Sequence, residues 1–202
     1  KAKEAISLGF PIGDWVLLCL GLLAWAEKPP FQLDKSLRII PPVWVLGWLF
    51  EQGRAFSPPW DWHYPRIFLL MVLAIIAWGK TKERRISCIL LATMCLLVQE
   101  LFLLNEPGIF AYDKWLFAGI FVTVALISSP NLWNMVLALA AGQLMSMGLT
   151  VFLFEGVLRY YSMPNPFLWH FSWVSLLLVL ALKQVLIYFK SKRRTFKRFE
   201  KG

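Results

Sequence analysis

The chain has 202 residues, of which 58% are hydrophobic and 16% are charged, and its mean hydropathy is +0.60. Soluble domains average about 45–50% apolar and about 25% charged residues. The composition therefore excludes a disordered protein, a disulfide-stapled secreted module and an ordinary cytosolic enzyme, and it predicts an integral membrane protein. In such a protein the net charge of +9 indicates a cytoplasmic face rather than nucleic-acid binding.

The apolar residues fall in blocks that match membrane-spanning helices, each of which needs about 20 residues. We predict one all-α transmembrane bundle over residues 1–189, followed by a polybasic cytoplasmic tail over residues 190–202. The seven predicted spans are Ala5–Ala26, Arg38–Phe50, Trp62–Gly79, Ile86–Asn105, Trp115–Ser128, Asn131–Glu155 and Phe167–Phe189. The second, third and fifth of these are the shortest.

Two alternatives concern the first two segments. The segment near 38–50 begins beside Pro41 and Pro42, and in a six-span alternative it is re-entrant or interfacial, with protein or water covering its open backbone. The first segment also imitates a secretory signal peptide with a small-residue cleavage site at Ala24-Trp25-Ala26. Asp14 interrupts its apolar run, which favours an uncleaved first helix.

Basic residues set the predicted orientation. With seven spans and an inner C-terminus, most of the 21 Lys and Arg residues lie on the inner side, as the positive-inside rule requires. The tail supplies the candidates for lipid headgroup binding, which are Lys190, Lys192, Arg193, Arg194, Lys197 and Arg198. Each such cation contributes about 1 kcal/mol of attraction to an anionic leaflet. The expected partners are therefore the bilayer and its anionic inner-face lipids, and a membrane-protein or acidic partner is the alternative.

Polar side chains inside the spans are the candidates for a ligand or ion site, because burying them in a membrane is costly. They are Asp14, Glu100, Gln143 and Glu155. Each also has a structural explanation. Asp14 suits the positive end of a helix dipole, and Glu100 lies near enough to the surface to reach the headgroups. Glu155 is spaced i,i+4 from Arg159, and Gln143 suits a hydrogen bond between helices.

The chain carries no motif for phosphate, dinucleotide or hydrolase chemistry, and no cofactor is predicted. Its three cysteines lie in apolar runs without a CxxC pair. His63 and His170 are its only histidines, and each lies in an aromatic cluster at the predicted outer surface. The spacing supplies no further converging ligands, so no metal site is predicted.

The most specific pattern is a stripe of small residues in the sixth segment. Ala138, Gly142, Ser146 and Thr150 recur at four-residue steps, so they lie on one helix face. Such a stripe lets a second backbone approach closely. We expect the contact to lie within the chain, with dimerisation as the alternative.

The layout of residues 62–189 resembles that of the YphA family, small uncharacterised multipass membrane proteins of spore-forming Gram-positive bacteria. The resemblance rests on the basic turn Lys80–Arg85, on Tyr112-Asp113-Lys114-Trp115 at the end of an outer loop, and on Ala141-Gly142-Gln143. It implies a bacterial cytoplasmic membrane and supplies no catalytic residues.

These observations predict a non-enzymatic accessory or scaffold subunit of the cytoplasmic membrane. The first alternative is a small transport or ligand-binding subunit, with Asp14, Glu100 and Gln143 in an outward-facing polar site. The second alternative is a membrane enzyme that uses His63 or His170.

Overall fold

The computed structural model describes residues 12–26, 34–53, 60–105, 119, 131–157, 161–179 and 181. Within these ranges the chain is predominantly helical, which confirms the helical prediction there. The α-helices are α1 Ile12–Trp25, α2 Ile40–Gln52, α3 Tyr64–Lys80, α4 Arg85–Asn105, α5 Leu132–Phe154 and α6 Pro166–Val179. A 3-10 helix, Lys35–Ile39, leads directly into α2.

Local chemistry explains where several helices begin. Pro41 and Pro42 lie in the first turn of α2, where a missing N–H costs no hydrogen bond. Asn131 caps α5, because its side-chain oxygen accepts a hydrogen bond from the Trp133 N–H at 3.1 Å. Asn165 does the same for the Phe167 N–H at the start of α6, at 3.0 Å.

Two short strands accompany the helices. Strand β1, Trp60–Trp62, pairs in parallel with β2, Tyr161–Met163, and Asp61 lies opposite Ser162. The third predicted segment therefore starts too early, since its helix begins at Tyr64. Strands of three residues carry too little alternation to be recognised in a sequence, and their pairing partner is about a hundred positions away.

Other boundaries agree closely with the predicted segments. The fourth and sixth segments correspond to α4 and α5, which begin at Arg85 and Leu132. The predicted fifth segment is described only at Gly119, which is helical. The part of the first segment before Ile12, the end of the seventh segment and the basic tail lie outside the described residues.

Side-chain contacts assign the helix termini to two ends of the bundle. Asp14, Arg66 and Trp169 meet at one end, which brings the starts of α1, α3 and α6 together. We call this the Asp14 end. Asp34, Lys80 and Trp133 meet elsewhere, which brings the start of the 3-10 helix, the end of α3 and the start of α5 together. We call this the Asp34 end.

Helices α4 and α5 pack against each other in parallel. Ala92 on α4 lies against Gly142 on α5, and further along both helices Glu100 lies against Thr150. Both residue numbers rise in the same direction, so the two helices run the same way, away from the Asp34 end. Helix α3 packs against α5 and α2 against α3. The buried core comes mainly from α3, α5 and α6, with Leu69, Leu70, Leu73, Met135, Leu139, Trp169 and Trp173.

The outward surface of the described helices is rich in large apolar side chains. Ile75 on α3 is 70% exposed and Phe152 on α5 is 76% exposed, and similar residues occur on α1, α2, α4 and α6. By length and composition, α5 is the one helix of the described residues that can cross a bilayer, and α1 and α6 are shorter apolar helices.

Candidate functional site

A buried ion pair joins three helices at the Asp14 end. Arg66 Nη2 donates to Asp14 Oδ2 at 2.9 Å, and Arg66 Nε donates to Oδ1 at 3.3 Å. The Trp169 indole N–H also donates to Asp14 Oδ1, at 2.9 Å. The arginine fork thus matches the carboxylate with two parallel bonds, the strong geometry for this pair. Asp14 is held by three donors from two other helices.

Aromatic and backbone contacts complete this arrangement. The Arg66 guanidinium lies 5.6 Å from the centre of the Trp169 ring, within the range of a cation–π interaction. His170 Nδ1 accepts a hydrogen bond from the Gly13 N–H at 3.1 Å, so His170 contacts the first turn of α1. A Cβ at Gly13 would come within 2.9 Å of the His170 Cα, which shows how closely the two backbones approach.

A second polar cluster lies between α4 and α5. The Glu100 side chain is 2% exposed, and its Oε2 accepts hydrogen bonds from the hydroxyls of Thr150 and of Ser146, the latter at 3.3 Å. Among the described residues, no Lys, Arg or His side chain pairs with Glu100. The carboxyl therefore sits in an apolar bundle with two neutral hydroxyls as its polar contacts.

Gln143, which is 4% exposed, lies on α5 about one turn before Ser146. Its Nε2 donates to Ser172 Oγ on α6 at 2.8 Å. Its Oε1 accepts no hydrogen bond within the described part of the chain, and the Nε2 of buried Gln99, beside Glu100, donates none there. Buried amide groups are normally satisfied, so these atoms are exceptions that need a reason.

The small-residue stripe faces α4 along its length. Ala138 clusters with Cys88 and Ala92, and a Cβ at Gly142 would lie 2.9 Å from the Ala92 Cβ. Further along, the stripe reaches Glu100 through Ser146 and Thr150. The stripe is thus buried within the chain against α4.

The remaining candidates lie apart from these clusters. Glu155 ends α5 and is exposed. His63 Nδ1 lies 3.4 Å from Glu51 Oε1, both about one third exposed, between α2 and the start of α3. The six headgroup candidates of the tail lie outside the described residues. Asp14 therefore does not share a cluster with Glu100 and Gln143, because its hydrogen-bond partners are different residues.

The Asp34 end holds a third cluster, which is partly exposed. Asp34 pairs with Lys80, accepts from the Trp133 indole at 3.1 Å and caps the 3-10 helix through the Ser36 N–H at 3.0 Å. Lys80 Nζ lies 4.5 Å from the centre of the Trp133 ring. Burial opposes ionisation of Asp34, but the hydrogen bonds from Lys80 and Ser36 outweigh it and lower its pKa to about 2.

Sequence reasoning missed Arg66, although the signal was available. Arg66 lies inside the third predicted segment, and an ionisable residue within a span is a candidate by the rule that selected Asp14. The involvement of Trp169 carried no such signal, since tryptophan is common at membrane interfaces.

The described residues contain no group of three or more His, Cys, Asp or Glu side chains that could hold a metal ion. No protein-family model, no curated protein and no solved structure matches the chain.

Proposed function

We propose that this chain is a polytopic helical protein of the cytoplasmic membrane with a non-enzymatic accessory or scaffold role. Its surface supports a membrane location, because large apolar side chains face outward on each described helix while amides, hydroxyls and carboxyls face inward. Water-soluble monomers rarely expose such extensive apolar surface, whereas lipid solvates it.

Seven spans account best for the directions of the helices. The starts of α1, α3 and α6 share the Asp14 end, and the parallel α4 and α5 both run towards it. In the predicted seven-span order the fourth and sixth segments run in the same direction, and α4 and α5 do so. The basic turn Lys80–Arg85 lies at the Asp34 end, so the positive-inside rule makes this end cytoplasmic. The proposed resemblance to the YphA family points to the same bacterial membrane.

The single observation that carries the scaffold role is the engagement of Asp14 by side chains of two other helices. A carboxylate that receives two bonds from Arg66 and one from Trp169 joins helices and is not available to an outside ligand. Of the two histidines, His170 already uses its Nδ1 to accept a bond from the α1 backbone. The surface that the bundle offers to another membrane protein is apolar.

Labelling from the two sides tests the membrane placement. In a chain whose three native cysteines are replaced, Val157→Cys next to the Asp14 end should react with an impermeant maleimide on intact cells. Glu83→Cys in the turn after α3 should react only after permeabilisation. Reaction of both positions from the same side would contradict the proposed topology.

Crosslinking in the native membrane tests the scaffold role. A photoreactive residue at Phe152 or Ile75, which face outward, should capture a defined membrane protein. The same residue at Leu70, which is fully buried, is the matched control and should capture none. Capture of lipid alone from every outward position would contradict a scaffold role.

A second candidate function is a small ligand-binding or transport subunit, and Glu100 is the observation that favours it. Unlike Asp14, Glu100 has hydroxyl partners and no cationic partner among the described residues. A thermal-shift screen over ions and metabolites in detergent tests this role: a ligand that raises the Tm supports it, and a broad screen without any shift contradicts it.

A further inference from the structure

We propose that Glu100, Ser146 and Thr150 form a site for a monovalent alkali cation, with sodium as the natural candidate, and that a proton competes for the same carboxylate. The inference rests on the second candidate function above and names its ligand class. Its starting point is a difference between two buried acids: Asp14 forms an ion pair with an arginine, whereas Glu100 accepts hydrogen bonds from two hydroxyls.

Charge balance requires a cation or a proton at this position. A carboxylate removed from water and left without a counter-charge is strongly unfavourable, so it either takes up a proton or binds a cation. Because the described surroundings of Glu100 supply one negative charge, a monovalent ion leaves the site neutral. A divalent ion would leave a net positive charge in an apolar interior, and magnesium in addition keeps most of its water.

The donor set suits a hard cation, because all of its atoms are oxygens. Glu100 offers carboxylate oxygens, and Ser146 and Thr150 each offer a hydroxyl with two lone pairs. Gln143 lies on the same face of α5 as Ser146, three positions earlier, and its buried Oε1 has no donor among the described residues. That carbonyl is a further oxygen within one turn of the site.

When the lone pairs of the two hydroxyls face a cation, a backbone carbonyl of the same helix can accept their hydrogens. Ser and Thr hydroxyls in helices can donate to the carbonyl four residues earlier. Two hydroxyls of the described residues do so: Thr93 donates to the Ile89 carbonyl at 2.7 Å, and Ser172 donates to the Leu168 carbonyl at 2.6 Å. Thr150 can therefore turn from donating to Glu100 to coordinating an ion without leaving a hydrogen unpaired.

Few other titratable groups lie around Glu100 in the described structure. Helix α5 contains none between Leu132 and Phe154. On the neighbouring strand β2, the Tyr161 phenol is close enough to interact electrostatically with Glu100, and it is held by the Asn165 amide at 2.8 Å. Cys95 is the nearest titratable residue before Glu100 on α4. The charged pair Asp14–Arg66 is engaged with itself and Trp169.

Thermal unfolding of the full chain in lipid nanodiscs tests the site. Sodium chloride is titrated against choline chloride at constant ionic strength, at mildly alkaline pH, and the Tm is recorded. We expect sodium to raise the Tm of the wild type and to have no effect on Glu100→Gln. Below the pKa of the site, the sodium concentration at half effect should rise about tenfold for each unit by which the pH is lowered, as competition with one proton requires.

A matched pair of threonine variants keeps the test independent of folding. Thr150→Val removes the hydroxyl next to Glu100 and should raise the half-effect sodium concentration by about tenfold, the scale of one lost ligand contact. Thr93→Val removes an equally buried hydroxyl that bonds only its own helix, and should leave the sodium response unchanged.

Two results would overturn the proposal: no sodium effect in the wild type, or an equal effect in Glu100→Gln. A Tm that ignores sodium and has a pH dependence that is lost in Glu100→Gln would identify Glu100 as a proton site alone. If the chain inserts with the expected labelling pattern but ignores every alkali cation, the cation site fails and the membrane scaffold stands. If the labelling pattern also fails, the proposed function fails with it.

Discussion

Asp14 on α1 and Arg66 on α3, 52 positions apart in the chain, form a two-bond ion pair that is 12% exposed on each side and is closed by the Trp169 indole. This single contact fixes the starts of three helices against one another. Because both charges are largely removed from water, each depends on the other, and the pair behaves as one unit.

We expect Arg66→Met to destabilise the fold strongly, because it leaves the Asp14 carboxylate buried without its cation. The loss in free energy of unfolding should reach about 3–5 kcal/mol at most, with the residual exposure reducing it. The double variant Asp14→Leu with Arg66→Met should recover a large part of that loss, since it removes both charges. Chemical unfolding in detergent measures all of these values. Simple additivity of the two single losses would contradict a coupled pair.

We expect Gly142→Leu to destabilise the bundle by about 1–3 kcal/mol, because a side chain there would collide with Ala92 and force α4 and α5 apart. Gly148 lies on the same helix with open space around it, so Gly148→Leu is the matched control and should not destabilise. The free energy of unfolding of both variants decides the matter. An equal change in the free energy of unfolding of the two variants would show that α4 does not pack on the stripe.

The Asp34 cluster should make the stability of the fold depend on pH in the acidic range. The folded pKa of Asp34 is about 2 against an ordinary value of 3.8, so the unfolded chain binds its proton first as the pH falls. The stabilisation is complete above about pH 4 and is lost as the pH falls towards 2. A partly exposed pair of this kind contributes about 0.2–1 kcal/mol.

The measurement compares wild type with Asp34→Asn over this pH range, which cancels the effect of other carboxyls. The difference in Tm between the two proteins should shrink as the pH falls from 4 to 2. A difference that stays constant would mean that the Lys80 pair does not hold the Asp34 charge in the folded state.

Tyr161 should make the stability of the fold decrease as the pH rises, which is the opposite of the Asp34 effect. Burial, and then the Glu100 carboxylate, raises the pKa of its phenol above the ordinary value of 10.0. The unfolded chain therefore loses this proton first, and the stabilisation present below about pH 10 is lost as the pH rises further. Ultraviolet difference spectra should show one tyrosine ionising later than the others, and Tyr161→Phe should remove that late step. An unchanged titration in Tyr161→Phe would contradict the assignment.

Helix positions could largely be predicted from the sequence because their signals are local. The proline pair at 41–42 and the cap at Asn131 act on residues within one turn, and runs of apolar residues fix which segments become helices. The four-residue stripe from Ala138 to Thr150 likewise identified a packing face before its partner was known. These features depend on neighbours in the chain, so a linear reading recovers them.

The partners of the polar groups could not be predicted in this way. Asp14 and Glu100 look alike in the sequence, as acids within apolar segments, and only the tertiary structure gives one an arginine and the other two hydroxyls. The pairing of β1 with β2 is decided in the same manner, across about a hundred positions. Local sequence was enough to establish that helices form and which of their faces are small or polar. Which charge meets which partner depends on helices brought together from distant parts of the chain, and no local periodicity encodes that contact.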